Sequence, residues 1–522
     1  MFAASMFAVA LPAQVTPLWQ YSETGTTVGA SVDAGHDVNG DGVPDVIVGI
    51  PRGGLTGRAR VLSGATGAVI HDLSFWLSSP TNQSRFGLAV ALLGDLNDDG
   101  RSEFAVGGPT FDSSAGSVGI FSGSDASLIL RVDAPTGFAA RMGEHIERLG
   151  DLDGDGKSEF AVGEVTSGSV RLSKIYSGAT LTVLQTLTGL AFAGGDLDGD
   201  GREDVLCLVQ GVGVEARRGS DLAVLHTASI ATPSTATATI GDIDGDGRDD
   251  FAVASNLNPF TNQIAVTVFR GADGSLVNTS ATAGAFSGFY DLIGVGDIDG
   301  DCVGDYALCI GSAALGDGLT EFRSGATHAV ITSYVMPSSE NYDQGIATLG
   351  DLDGDGYPEV AIGHSANPTL PQTSPVGILQ VVDLGLTAPL ASLRAIGSAC
   401  VGSAGNLALS SASGCPRVGT SMALIVRNAL PNAALVQNLG MSTNQPLDSA
   451  GMPGCVLLAT GDGFNLFGMA DANGTATSAS FTVPNDVALL GVQLASQAIC
   501  VDAAANAVGL TTSRGLLITI GS

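Results

Sequence analysis

Residues 151–159 read Asp-Leu-Asp-Gly-Asp-Gly-Lys-Ser-Glu, and six other stretches follow the same pattern. DVNGDGVPD starts at Asp37, DLNDDGRSE at Asp95, DLDGDGRED at Asp196, DIDGDGRDD at Asp242, DIDGDCVGD at Asp297 and DLDGDGYPE at Asp351. Successive starts lie 58, 56, 45, 46, 55 and 54 residues apart, roughly the length of a four-stranded propeller blade. The flanks repeat as well. A short strand ending near Gly-Asp precedes each stretch, and an apolar strand such as DVIVGI or EFAVGG follows it. A third strand then runs into a turn such as SGATGAV, and a fourth follows the turn. Helical periodicity is missing, so each unit reads as a small antiparallel sheet.

A lone four-stranded sheet cannot bury both of its faces. Arranging such sheets around an axis buries them between neighbours and leaves only short edges. The expected fold is therefore all-β: a seven-bladed β-propeller over residues 14–386, then a smaller β-sandwich domain over residues 387–522. The seventh unit supplies strands at Pro358–His364 and Gly377–Leu384. Its missing fourth strand is expected from Leu18–Glu23, with Trp19 pairing near Val381; Pro389–Gly397 is the competitor. In the C-terminal region, strand-like stretches fall at Ala423–Leu430, Ala433–Met441, Cys455–Thr460, Phe464–Ala470, Ala476–Val483, Leu489–Val501 and Leu516–Ile520.

The nine-residue stretches carry the chemistry. Calcium takes six to eight hard oxygens in flexible geometry. Position 1 is Asp37, Asp95, Asp151, Asp196, Asp242, Asp297 or Asp351. Position 3 is Asn39, Asn97, Asp153, Asp198, Asp244, Asp299 or Asp353, and position 5 is Asp41, Asp99, Asp155, Asp200, Asp246, Asp301 or Asp355. These would point side-chain oxygens inward. Position 7 (Val43, Arg101, Lys157, Arg202, Arg248, Val303, Tyr357) would give a backbone carbonyl. Position 9 (Asp45, Glu103, Glu159, Asp204, Asp250, Asp305, Glu359) would close the site with both carboxylate oxygens. Of the 52 acids in the chain, 26 occupy these ligand positions. Packed like charges repel, which calls for a cation. Up to seven Ca²⁺ are expected, bringing the formal charge from −31 to −17. Magnesium fits less well because it demands a rigid octahedron and keeps its waters. Cys302 stands where the other stretches have Gly at position 6, so weaker binding is expected in the sixth.

The loop and its flanks resemble the FG-GAP repeats of integrin α-subunit propellers, over roughly residues 18–386. Phe86-Gly87 carries the name's dipeptide, Val28-Gly29 and Met142-Gly143 are partial forms, and Gly49-Ile50-Pro51 and Gly107-Gly108-Pro109 give the Gly-x-Pro end. A loop in every unit is more like bacterial FG-GAP/VCBS surface and secreted proteins. The resemblance implies a propeller, calcium and an extracellular setting. It carries over no ligand.

Residues 1–13 read as the apolar core of a signal peptide, shortened at its start, with cleavage after Ala10 or Ala13. No apolar run is long enough to predict a membrane span. With 52 Asp and Glu against 21 Lys and Arg, a nucleic-acid partner is not expected. Cys207, Cys302, Cys309, Cys400, Cys415, Cys455 and Cys500 show no CxxC spacing. Two disulfides are expected in the C-terminal region, Cys400–Cys415 and Cys455–Cys500 being the pairing suggested, although four cysteines allow three connectivities.

Catalytic motifs are not found: there is no GxSxG, HExxH or P-loop. His36, His71, His145, His226, His328 and His364 fall at different places in different repeats and read as surface or strand residues. Cys207 and Cys309 sit in apolar strands, and strand packing accounts for Trp19 and Trp76. The expected function is a secreted or cell-surface, non-enzymatic binding or adhesion scaffold for an extracellular protein or glycan. The rival is a lectin or a polysaccharide lyase-like enzyme, for which His145 with Arg141 and Arg148 is the one dense cluster.

Overall fold

The computed structural model describes residues 15–521 except 25, 53–55, 74–83, 135–138, 167, 169, 231–233, 259–262, 282–285, 313–317, 337–340, 344, 354–356, 367–375, 385, 387–390, 398, 406, 414 and 461–463. Residues 1–13 and Trp76, for which a signal peptide and a packing role were expected, lie outside the described residues, as does Asp355.

The chain is almost wholly β. In the first unit, Ser31–His36, Asp45–Ile50, Arg58–Leu62 and Val69–Leu73 pair in that order as an antiparallel sheet. Five more four-stranded sheets of the same order follow. A further sheet carries Ile346–Gly350, Glu359–Ala366 and Val376–Asp383, joined by the short Asn341–Asp343. The first strands of successive sheets stand side by side: Ser31–His36, Val90–Gly94, Ile146–Gly150, Leu190–Gly195, Ser234–Gly241, Phe286–Gly296 and Ile346–Gly350, the last again beside the first. These strands surround an axial channel, and the sheets form the blades of a propeller.

The core lies between blades rather than inside any one of them. Val38, Ile47 and Val61 of the first blade pack with Phe86, Leu92, Phe104 and Val106 of the second. Second strands are therefore buried on both faces. All six residues of Asp45–Ile50 are buried, as are all six of Glu103–Gly108. Fourth strands form the rim and are mostly exposed or half-buried. A single helical turn, Phe111–Ser114, interrupts the second blade.

The N-terminal strand closes the ring. Thr16–Thr24 runs antiparallel to Val376–Asp383, with Trp19 opposite Val381. Trp19 and Tyr21 pack on a cluster shared by Val46, Val48 and Leu62 of the first blade and Ala361, Leu379 and Val381 of the last. The Trp19 indole also donates to the Gly64 carbonyl at 2.6 Å, a link across the seam. His71 and His226 make the equivalent contact from their fourth strands to Gly123 and Gly271 of the next blades. The competing segment is used elsewhere: Ser392–Ile396 pairs with Gly515–Thr519 in the C-terminal region.

There two sheets face each other. One holds Ser392–Ile396, Gly515–Thr519, Gln493–Val501, Ala434–Gly440 and Phe464–Met469; the other holds Leu409–Ser413, Ser421–Arg427, Ala476–Thr477 and Phe481–Thr482. Val426 and Ala429 meet Leu435 and Cys500 between them, and Met422 and Leu424 meet Leu516 and Ile518. The suggested disulfide pairing is overturned. Cys400 bonds Cys455, and Cys415 bonds Cys302, 113 residues earlier in the sixth blade. Cys500 is a buried free thiol in the sandwich core, its pKa pushed up to about 12 by burial. Nearness in sequence misled because Cys415 faces the propeller rather than its own domain.

Trp19→Ala removes both the seam contact and the indole hydrogen bond. It should lower unfolding free energy by about 2–4 kcal/mol in urea titrations, whereas Leu18→Ala, on the exposed side of the strand, should change little.

Candidate metal centres

Each nine-residue stretch links the inner strand of a blade to its second strand. Its shape comes from its own carboxylates. In the third loop, Asp151 accepts from the amides of Gly154, Asp155 and Gly156 at 2.7, 3.1 and 2.9 Å. Asp153 accepts from Asp155 and Asp155 from Lys157. The fourth, fifth and sixth loops repeat the scheme around Asp196, Asp242 and Asp297. In the first two loops Asn39 and Asn97 take the third position, accepting from the Asp41 and Asp99 amides.

The backbone must turn left-handed at position 4. Asp98 replaces Gly there in the second loop and adopts φ 63°. Position 6 is also left-handed, and Cys302 takes it at φ 65°. Its amide donates to Asp297 at 2.7 Å, as the glycine amides do in other loops. The sixth loop thus keeps the common shape, and its cysteine serves the link to Cys415.

Position 9 is the deepest part of each loop. Asp45, Glu103, Glu159, Asp204 and Asp305 are fully buried, and Asp250 and Glu359 are 1% exposed. Asp45 accepts from the amides of Val38 and Asn39 through one oxygen and from Gly64 through the other. Asp204 does the same with Leu197, Asp198 and Gly219. The acid therefore binds its loop to the turn after the blade's third strand. Three N–H donors leave about one of roughly four lone-pair sites open at Asp45 and Asp204, while Glu159 accepts from Leu152 and Gly178, and Asp250 from Ile243 and Gly271. Burial, reinforced by neighbouring carboxylates, pushes Asp204 up to about 8 and Glu159, Asp250 and Asp305 up to about 7.

Carboxylate oxygens converge. Those of Asp151, Asp153 and Glu159 lie within 4.8 Å of one another, as do those of Asp196, Asp198 and Asp204, of Asp242, Asp244 and Asp246, and of Asp297, Asp299 and Asp305. At an effective dielectric near 20, two unit charges that close repel by about 3 kcal/mol. Hard oxygens with this charge density suit a divalent cation such as Ca²⁺.

Position 7 does more than its carbonyl suggests. Lys157 extends its ammonium to Asp98 and to the Asp95 carbonyl of the preceding loop. Arg202 reaches the Asp153 carbonyl at 2.7 Å, and Arg101 and Arg248 lie over Gly40 and Gly199. Cations thus bridge successive loops. The sequence signal was a basic residue at position 7 in four consecutive loops.

The axial channel holds a second group of acids. Asp33 accepts from the Leu92 amide of the next blade at 2.8 Å, and Glu147 reaches the Ala193 amide at 3.5 Å. These carboxylates satisfy N–H groups that the inner strands leave unpaired. Burial raises Glu147 to about 8 and Asp291 to about 7. At the ends of the inner strands away from the loops, a cavity of about 230 Å³ is lined by Arg141, Glu144, His145, Arg171, Phe192 and Asp291, among others. Arg141 and His145 thus share one site, while Arg148 is not among its lining. The His145 imidazole bonds the Ala191 carbonyl at 2.8 Å, and burial lowers its pKa.

Residues 28–70 match the FG-GAP repeat family. The chain is 36% identical over 156 residues to integrin alpha-PS3 of Drosophila melanogaster, covering 27% of this chain and 14% of that protein. It is 32% identical over 158 residues to integrin alpha-4 of Xenopus laevis, covering 28% and 15%. One stretch of the chain thus matches the FG-GAP repeat and about a quarter of it is similar to integrin α subunits, of whose length it spans about a seventh. Among solved structures, BBS1N in complex with ARL6DN is similar with a TM-score of 0.46 and 9% identity, over 72% of this chain and 98% of that one.

Glu147 yields a pH test. Its folded pKa lies above its ordinary 4.5, so the stability tied to its proton is complete below that value and is lost as pH rises through about 8. With calcium saturating, Glu147→Gln should melt near the parent at about pH 5 and several degrees above it at about pH 8.5, read by calorimetry.

Proposed function

We propose that this protein is a secreted or cell-surface, calcium-stabilised propeller that acts as a non-enzymatic binding scaffold, with one calcium per loop. The observation that carries the reading is the convergence of carboxylates in four loops, in three of them onto the buried position-9 acid. Positions 1, 3 and 5 would supply side-chain oxygens, position 7 a carbonyl and position 9 one further oxygen. Contact through one oxygen suits an acid whose two oxygens already hold two or three N–H groups better than the two-oxygen closure expected from the sequence. Repetition of the site around the ring argues for a structural metal, since a catalytic site needs only one place. The integrin α relatives favour an extracellular protein or glycan as ligand. No helix among the described residues is long and apolar enough to cross a membrane.

The ligand would sit on the face away from the loops, where the channel mouth offers Arg141, Arg171 and the Phe192 ring. The same cavity gives the rival reading its one support. A neutral His145 beside two guanidinium groups is what proton abstraction from a uronic-acid polymer would need. A glycan array with a lyase assay separates the two: binding without turnover supports the scaffold, and turnover abolished by His145→Ala supports the enzyme.

Titration calorimetry should register calcium uptake at several sites, and chelation should lower the melting temperature. Asp151→Ala should remove one equivalent. A parent that takes up no calcium would falsify the metal assignment.

A further inference from the structure

The C-terminal sandwich rests on three of the loops, and on particular atoms of them. Position 6 is the contact point each time. In the fourth loop a Cβ on Gly201 would lie 3.0 Å from the Leu409 side chain and 3.4 Å from the Leu407 carbonyl. In the fifth, the Arg427 guanidinium fills the place a side chain on Gly247 would take, 1.3 Å from its Cβ position. In the sixth, position 6 is Cys302, bonded to Cys415. Position 4 adds two contacts. The Asn428 amide donates to the Gly199 carbonyl, and the Cys415 sulfur lies 3.8 Å from the Gly300 carbonyl. By contrast, position 6 of the first three loops, Gly42, Gly100 and Gly156, has nothing within 4 Å of a Cβ.

These contacts are made to backbone held in place by metal-site carboxylates. The Gly199 and Gly201 amides are bound by Asp196, the Gly247 amide by Asp242, and the Gly300 and Cys302 amides by Asp297. Whatever fixes the position-1 aspartate therefore fixes the surface that the sandwich touches. Charge alone does not account for the docking. Arg417, Arg427 and Arg514 are three of the four basic residues after residue 386. Arg417 feels Asp301, and Arg514 feels Asp249. Yet no ion pair joins these arginines to a loop acid among the described residues. Shape matters more than attraction here.

We propose that the C-terminal domain is a cap that recognises the calcium-loaded shape of the fourth, fifth and sixth loops, so that metal binding and domain docking are one coupled equilibrium. The inference rests on the calcium reading given above. Coupling is reciprocal: calcium in these loops holds the cap, and the cap slows calcium release from these loops and not from the first three. The Cys302–Cys415 bond keeps an undocked cap tethered, so docking is restored at high effective concentration when calcium returns.

The test is hydrogen–deuterium exchange on the full chain, with calcium content measured in the same samples. Chelation should speed exchange in peptides spanning 407–417 and 421–428 by tenfold or more, leave Gln493–Val501 protected, and reverse on adding calcium. Asp196→Ala should reproduce the effect in calcium, and Asp151→Ala should not. If calcium is bound and then removed while the interface peptides keep their protection, the coupling is wrong and the calcium reading stands. If the parent binds no calcium, both are wrong. Because the chelation arm uses the parent protein, misfolding of Asp196→Ala leaves the outcome decisive.

Discussion

The structure depends on the buried carboxylate at the ninth position of each loop. It sits at the start of a second strand covered on both faces, where an unpaired charge would be costly. Its oxygens are taken up by backbone amides from two directions: the loop before it and the turn two strands later. One side chain thereby fixes the loop, the edge of the sheet and the blade's far turn together. The blade has no hydrophobic core of its own to do this, because its apolar residues face neighbouring blades. The acid supplies the order within each blade, and burial supplies the order between blades.

The remaining carboxylates follow from that arrangement. Once position 9 is anchored, positions 1, 3 and 5 are carried into a tight turn whose amides they also bind. The resulting density of negative charge is offset partly by basic side chains reaching from the next loop. These four basic groups still leave an excess of negative charge, which suits a divalent cation. At the channel the problem is reversed. Inner strands have no sheet neighbour on the axial side, and Asp33 and Glu147 satisfy the exposed amides of the adjoining blade at the cost of raised pKa values.

Much of this was legible in the sequence because it is local and repeated. The loop spacing gave the blades, and the place of Leu18–Glu23 ahead of the first loop gave the closing strand, down to Trp19 beside Val381. Features set by tertiary docking were not legible. The partner of Cys302 lies in another domain, so cysteine spacing could not reveal it. The burden on position 7 was visible as a basic residue in four successive loops, but its direction, back toward the preceding loop, needed the ring geometry. Asp33 and Glu147 each stand four residues ahead of a loop's first aspartate. That coincidence carries meaning only once the inner strands are known to face a channel. His145, Arg141 and Arg148 stood out in the sequence as one dense cluster, and His145 and Arg141 meet at a cavity because the blades around them turn the same end of their inner strands to one face.

The ninth-position acid would organise the loops as cation sites. A crystal structure grown in calcium, with anomalous scattering collected to locate the ion, decides whether it does. A calcium peak is expected in the loops, at about 2.3–2.6 Å from oxygens of positions 1, 3, 5, 7 and 9, with the position-9 acid still bound to its amides. Loops without anomalous density at saturating calcium, their aspartates turned out to solvent, would contradict it.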